Sequence, residues 1–101
     1  MFGGKKTVLI TGASRGIGAF LAENFASQNY NVIINYNNSK NEAMALLQKI
    51  RSFGGSAIAL KANVSDFEEA EYLVKKSEEE FGSIDVLINN AGIAQQKMFT
   101  D

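Results

Sequence analysis

The feature that most constrains this 101-residue chain is an alternation of two periodicities, punctuated by glycine. Thr7-Val8-Leu9-Ile10-Thr11 is a short β-branched run between Lys5-Lys6 and Gly12, the pattern of a buried strand. After Gly16 the apolar residues Ile17, Phe20, Leu21 and Phe25 recur at the three-and-four spacing of an amphipathic helix. Val32-Ile33-Ile34 reads as a second strand, leaving through Asn35-Tyr36-Asn37-Asn38. Ser39 and Glu42 form a capping-box pattern for a second helix. Its expected inner face is Ala43, Leu47, Ile50 and Phe53, with Gly54 as left-handed terminator. Ala57-Ile58-Ala59-Leu60 is a third, weaker strand. Ser65 and Glu68 repeat the capping box before a helix with Phe67, Ala70, Val74 and Phe81 inward, which Gly82 ends. Ile84 to Ile88 makes a fourth strand, and Asn89-Asn90-Ala91-Gly92 turns at its carboxyl end.

Strands joined through helices must run parallel, because a parallel pair needs a long crossover, and a parallel sheet is covered on both faces. The expected class is therefore α/β: a Rossmann-like doubly wound parallel sheet, βαβαβαβ, with strand order 3-2-1-4. One unit fits the length.

Composition removes most catalytic chemistries. There is no cysteine and no histidine, which excludes disulfides, zinc-thiolate sites, thiol nucleophiles and Ser–His triads. Ten basic against eleven acidic residues leave a net charge of −1, without the basic excess of a nucleic-acid or membrane-surface binder. The apolar runs are too short for a membrane span or signal peptide, so a soluble, cytoplasmic protein is expected. Glu68, Glu69, Glu71, Glu78, Glu79 and Glu80 on the third helix read as a solvated face. Chemistry must come from a bound cofactor or from hydroxyls, amines and carboxylates, and no metal site is expected.

The segment Gly12-Ala13-Ser14-Arg15-Gly16-Ile17-Gly18 stands where the first strand hands over to the first helix. A phosphate there meets free backbone N–H groups and the positive end of the helix dipole. The spacing is G-x-x-x-G-x-G, and no Gly-Lys-Ser/Thr follows as a Walker loop requires. The competing reading is a tight strand–helix turn that needs glycine but no ligand. At the exit of the second strand, no Asp or Glu occurs between Glu23 and Glu42. A carboxylate there grips the ribose hydroxyls of NAD, and its absence removes repulsion against a 2′-phosphate. Arg15, with Lys40 as a second candidate, supplies positive charge.

Taken together, Thr11-Gly12-Ala13-Ser14-Arg15-Gly16-Ile17-Gly18 and the later Asn89-Asn90-Ala91-Gly92 resemble the short-chain dehydrogenase/reductases in motif and in order. Within that family the chain looks most like the bacterial branch reducing 3-oxoacyl thioesters of a carrier protein. The resemblance implies an NADPH-dependent oxidoreductase of fatty acid synthesis, homo-oligomeric at full length. It implies that Gly12, Ser14, Arg15, Gly16, Ile17 and Gly18 cradle the pyrophosphate and the adenosine-ribose phosphate. Asn35 stands in it where NAD-preferring members carry an aspartate. Asn63-Val64 lies where the family has Asp-Val beside the adenine, a departure that leaves only an amide oxygen to accept from the adenine amino group. Asn90, Ala91 and Gly92 approach the ribose and diphosphate from the other side, while Asn89 braces the sheet.

The same resemblance implies a catalytic Tyr-x-x-x-Lys on one helix face, with a serine and an asparagine. Tyr36–Lys40 and Tyr72–Lys76 have the bare spacing, but the first straddles a loop and the second precedes the fourth strand. No catalytic residue is therefore assigned. Residues 1–101 are expected to be the NADP-binding amino-terminal part of one Rossmann domain, cut before its catalytic half and inactive alone. Two alternatives stand beside this: a non-catalytic dinucleotide-binding or interaction module, and a plain α/β unit without a ligand.

Overall fold

The computed structural model describes residues 5–90. Seven elements follow in strict alternation: β1 (Thr7–Thr11), α1 (Gly16–Ser27), β2 (Asn31–Tyr36), α2 (Lys40–Ser52), β3 (Ser56–Lys61), α3 (Phe67–Phe81) and β4 (Val86–Asn89). The four strands form one parallel sheet in the order β3-β2-β1-β4, as the alternation requires. The chain thus adds β2 and β3 on one side of β1, then crosses to the other side for β4. Such a reversal leaves a crevice at the carboxyl ends of the strands, where ligands of open α/β sheets bind.

Both faces of the sheet are covered. Val8, Ile10, Val32 and Ile34 pack with Ala22 and Ala26 of α1 and Ala43, Leu46, Leu47 and Ile50 of α2. Leu9 and Ile33 point the other way, into a smaller cluster with Ala62, Val64 and Leu73 of α3. Each fully buried Leu, Ile or Val contributes roughly 1.5–3 kcal/mol, and β1 is buried at all five positions. β4 lies at the sheet's edge, and Leu87 is exposed.

The amino ends of the strands are tied by polar side chains. Ser56 Oγ donates to Asn31 Oδ1 (2.8 Å), and Asn31 Nδ2 donates to Thr7 Oγ1 (3.3 Å). Thr7 N in turn donates to Asp85 Oδ2 (2.8 Å), just ahead of β4.

Several expected inward residues lie outside. Ile17 and Phe20 of α1 are 71% and 66% exposed, and Phe53 and Phe67 are also exposed. In α1 the buried positions are Gly18, Ala22 and Ala26, a stripe of small residues at every fourth place. That stripe lets the helix axis lie close to the sheet and pushes the large side chains to its flanks, where Leu21 and Phe25 are half-buried. Leu73 and Ser77 of α3, rather than Phe67, face the sheet beside Ala70.

The caps differ too. Ser39 is the N-cap of α2, but its hydroxyl makes no capping bond. At α3 the cap moves one place on: Asp66 Oδ1 accepts from Glu68 N (3.0 Å) and Glu69 N (3.3 Å). Ser65 lies one place ahead of the cap, and its hydroxyl donates to Asn63 Oδ1 (2.6 Å). Gly54 and Gly82 follow the ends of α2 and α3 as expected, both at positive φ (+86 and +84).

Candidate functional site

The glycine segment leaves β1 at the centre of the sheet's carboxyl rim. Gly12 takes φ +60, which a side chain resists, and this turns the chain over the end of β2. Two successive amides are then held from below by one residue. Gly12 N donates to Asn35 Oδ1 (3.1 Å), and Ala13 N donates to the Asn35 carbonyl (2.9 Å). Arg15 is the N-cap of α1 in extended conformation and makes no side-chain capping bond. The N–H groups of Gly16, Ile17 and Gly18 that follow belong to the first helical turn, where no intrahelical i−4 carbonyl exists. No acidic residue occupies that turn to neutralise the dipole.

Close approach fixes the third glycine. A Cβ at Gly18 would lie 2.7 Å from Gly12 O, 2.7 Å from Asn90 Nδ2 and 2.9 Å from Ala13 Cα. Gly16 has no such neighbour and is needed for its φ of +66 instead. From the far side, the end of β4 is stitched to β1. Thr11 Oγ1 donates to Asn89 Oδ1 (3.0 Å) and accepts from Asn90 N (2.9 Å), while Asn90 Nδ2 reaches Gly12 O (3.2 Å). Asn89 Nδ2 is buried with no hydrogen-bond partner among the described residues. Ala91 and Gly92, the rest of that motif, lie outside the described residues.

Between the loop, the exit of β2 and the exit of β3 lies a cleft of about 260 Å³. Gly12, Ser14 and Arg15 border it on one side, Asn35 to Ser39 on the second, and Ala62, Asn63 and Val64 on the third. Arg15 is the cationic residue of this lining, and no carboxylate contributes. A larger hollow of about 620 Å³ runs along the outside of α3 between Phe67, Tyr72 and Glu78 and includes none of the motif residues. The smaller cleft is the candidate site, because it joins an open helix terminus and a cation at the carboxyl rim of the sheet.

Most of the expected binding residues thus meet around one cleft: Gly12, Ser14, Arg15, Asn35, Asn63 and Val64 border it. Gly16, Ile17 and Gly18 open the adjoining helix, and Asn90 closes over Gly12. Two side chains are placed differently from expectation. Asn35 is only 2% exposed, and its amide is engaged beneath the glycine loop rather than turned to a ribose. Asn63 Oδ1, the oxygen expected to meet an adenine amino group, already accepts from Ser65 N (3.1 Å) and Ser65 Oγ. Asn63 N donates to Glu69 Oε1 (2.8 Å), so this residue shapes the approach to α3. Tyr36 is buried against α1 and α2, and Tyr72 sits half-exposed on the outside of α3. Tyr36 borders the cleft but is only 7% exposed there, and Tyr72 lines the hollow outside α3 instead.

Comparison with known proteins gives one direction. A family model described as short chain dehydrogenase matches residues 6–101. The chain is 44% identical over 93 residues to the 3-oxoacyl-[acyl-carrier-protein] reductase FabG of Staphylococcus aureus strain Mu50, covering 92% of this chain and 38% of that protein. It is 46% identical over 99 residues to an L-rhamnose 1-dehydrogenase (NAD(P)(+)) of Azotobacter vinelandii, covering 95% and 39% respectively. Among solved structures, a short-chain dehydrogenase/reductase from Serratia marcescens superposes with a TM-score of 0.85 at 33% identity, over 89% of this chain and 37% of that one. A dehydrogenase/reductase from Sinorhizobium meliloti 1021 gives the same TM-score at 38% identity, over 89% and 36%. The chain therefore spans less than two-fifths of the length of these relatives.

Proposed function

This chain belongs to the short-chain dehydrogenase family, and on that premise we propose that residues 1–101 are the NADPH-binding part of a cytoplasmic oxidoreductase of fatty acid synthesis. The reaction proposed is reduction of a 3-oxoacyl thioester to its 3-hydroxyacyl form by a full-length, homo-oligomeric enzyme. The name of the Staphylococcus aureus relative supports the substrate class. Among the described residues no helix is long and apolar enough to cross a membrane.

The observation that carries the reading is the open amino terminus of α1 beside a cleft that holds Arg15 and no carboxylate. A dinucleotide fits what is present: the first-turn N–H groups lack intrahelical partners, and the adjoining cleft is lined by polar side chains and Arg15. Ser14, Gly16, Ile17 and Gly18 hold the pyrophosphate, with the helix dipole favouring its charge. Arg15, forked and permanently charged, takes the 2′-phosphate, assisted by Lys40 at the start of α2. Val64 lies beside the adenine, and Asn90 with Ala91 and Gly92 closes on the ribose. The cofactor supplies a hydride when bound. These residues bind and orient it, and none of residues 5–90 is assigned to hold or deliver the proton.

The discriminating experiment titrates NADPH and NADH into the wild-type chain and Arg15→Ala. Losing a charge-assisted contact costs roughly 1.5–3 kcal/mol, so NADPH affinity is expected to fall at least about tenfold while NADH affinity holds. Equal weakening of both cofactors overturns the assignment of Arg15 to the 2′-phosphate. Absence of binding to either one overturns the dinucleotide reading.

A further inference from the structure

Asn35 is almost completely buried, and both its amide oxygen and its amide nitrogen are hydrogen-bonded. Its Oδ1 accepts from Gly12 N, the first amide of the glycine loop. Its Nδ2 lies 3.1 Å from the carbonyl of Ala62, with those of Leu60 and Tyr36 at 3.4 Å. Ala62 itself donates its N–H to the Tyr36 carbonyl (2.9 Å), extending the ladder between β2 and β3 by one step. One carboxamide therefore spans three chain segments: the loop after β1, the end of β2 and the exit of β3. These are the three sides of the cleft.

We propose that Asn35 is a positioning residue for the dinucleotide site: its carboxamide clasps the glycine loop to the exits of β2 and β3 without touching the ligand. The inference rests on the dinucleotide reading above. The clasp divides the loop's amides into two groups. Gly12 and Ala13 are held downward by Asn35, one by its side chain and one by its carbonyl. The amides from Gly16 onward open the helix and face an incoming anion. A loop whose first two amides are fixed loses less freedom on binding than one that must order itself around the ligand.

The clasp also dictates what position 35 tolerates. An amide has a donor for the carbonyl cluster and an acceptor for Gly12, whereas a carboxylate has acceptors only. Asn35→Asp keeps the bond to Gly12 N but sets its second oxygen against the Ala62 carbonyl. On the β2 side of the cleft, recognition of the ribose 2′ position therefore falls to residues 37–40, which lead out of the strand into α2.

The test combines amide hydrogen exchange of the free chain with NADPH and NADH titration, on wild type, Asn35→Ala and Asn35→Asp. In wild type the Gly12 amide is expected to be protected. In Asn35→Ala its exchange should rise at least about tenfold more than that of Leu9 or Ile33, which report global opening. Asn35→Ala should bind both dinucleotides about tenfold more weakly, a change of about 1.4 kcal/mol, with the NADPH to NADH ratio unchanged, and Asn35→Asp, which also adds a negative charge, should bind NADPH at least as weakly. An unprotected Gly12 amide in wild type overturns the clasp, even if neither variant folds. Wild-type binding that survives undiminished in a folded Asn35→Ala or Asn35→Asp overturns it too. Wild type that binds neither dinucleotide removes the parent reading, and this inference with it, whatever Gly12 shows.

Discussion

Gly18→Ala is a substitution whose sign separates local propensity from packing. In an ordinary helix interior, alanine is about 0.8–1 kcal/mol better than glycine. Gly18 lies in the first turn of α1, so propensity alone predicts a gain. The structure predicts a loss. The added Cβ meets Gly12 O and Asn90 Nδ2 at 2.7 Å and Ala13 Cα at 2.9 Å, below any real Cβ contact. The Asn90 amide can swing aside, but Gly12 O and Ala13 Cα are backbone and belong to the segment that Asn35 clasps. The start of α1 must therefore move off the loop until these distances open beyond 3.0 Å. Overpacking of this kind costs roughly 1–3 kcal/mol, and two backbone contacts place Gly18 in the upper half of that range. After the propensity gain, the net loss is about 1–2 kcal/mol, equivalent to roughly 5–15 °C in Tm for a domain of this size. Thermal and urea denaturation followed by circular dichroism read it directly. A Gly18→Ala chain as stable as wild type, or more stable, would refute the close-approach account.

Asp66→Ala removes the acceptor for two amides at the start of α3 and should cost about 0.5–2 kcal/mol in urea denaturation, whereas Ser65→Ala, at the position the sequence pattern favours, should cost less. Phe67→Ser, at a site 61% exposed, should change stability by no more than about 0.5 kcal/mol. Leu73→Ala on the same helix, fully buried, should lose about 2–5 kcal/mol, so equal losses in the two variants would show the wrong face of α3 has been assigned to the core.

Element order, strand order and the place of the glycine loop were legible because each rests on periodicity and punctuation, which are local. β1 falls on Thr7–Thr11 as read, and β2 extends the expected core by one residue before and two after. Which large apolar residues turn inward was not legible. Ile17 and Phe20 satisfy a helical stripe, but so do Gly18, Ala22 and Ala26, and only the small stripe lets α1 lie close to the sheet. The cap of α3 is hard to place for a related reason: Ser65 and Asp66 both offer a capping oxygen, and only the folded backbone brings Asp66 Oδ1 to the amides of Glu68 and Glu69. At the site, glycine positions announce themselves by their spacing. Asn35 does not, since an asparagine at a strand exit reads alike whether its amide faces a ligand or the loop beside it. The contact that decides the matter is 23 residues away in sequence.

The polar chain at the opposite end of the sheet answers a problem the apolar strands create. Val8-Leu9-Ile10 and Val32-Ile33-Ile34 are hydrophobic on both faces, so sliding β2 by one residue past β1 still buries apolar side chains on each side. Hydrophobicity is nearly blind to such a slip. Ser56, Asn31 and Thr7 are not, because each bonds its neighbour only when Thr7 stands opposite Asn31 and Asn31 opposite Ser56. A slip strands these groups part-way into the protein at about 1–3 kcal/mol for each one left unsatisfied. Three small polar residues thereby act as an alignment key for the sheet: they add little to its cohesion but select one pairing among several of similar oiliness, and so bring the opposite rim, where the glycine loop sits, to a single height.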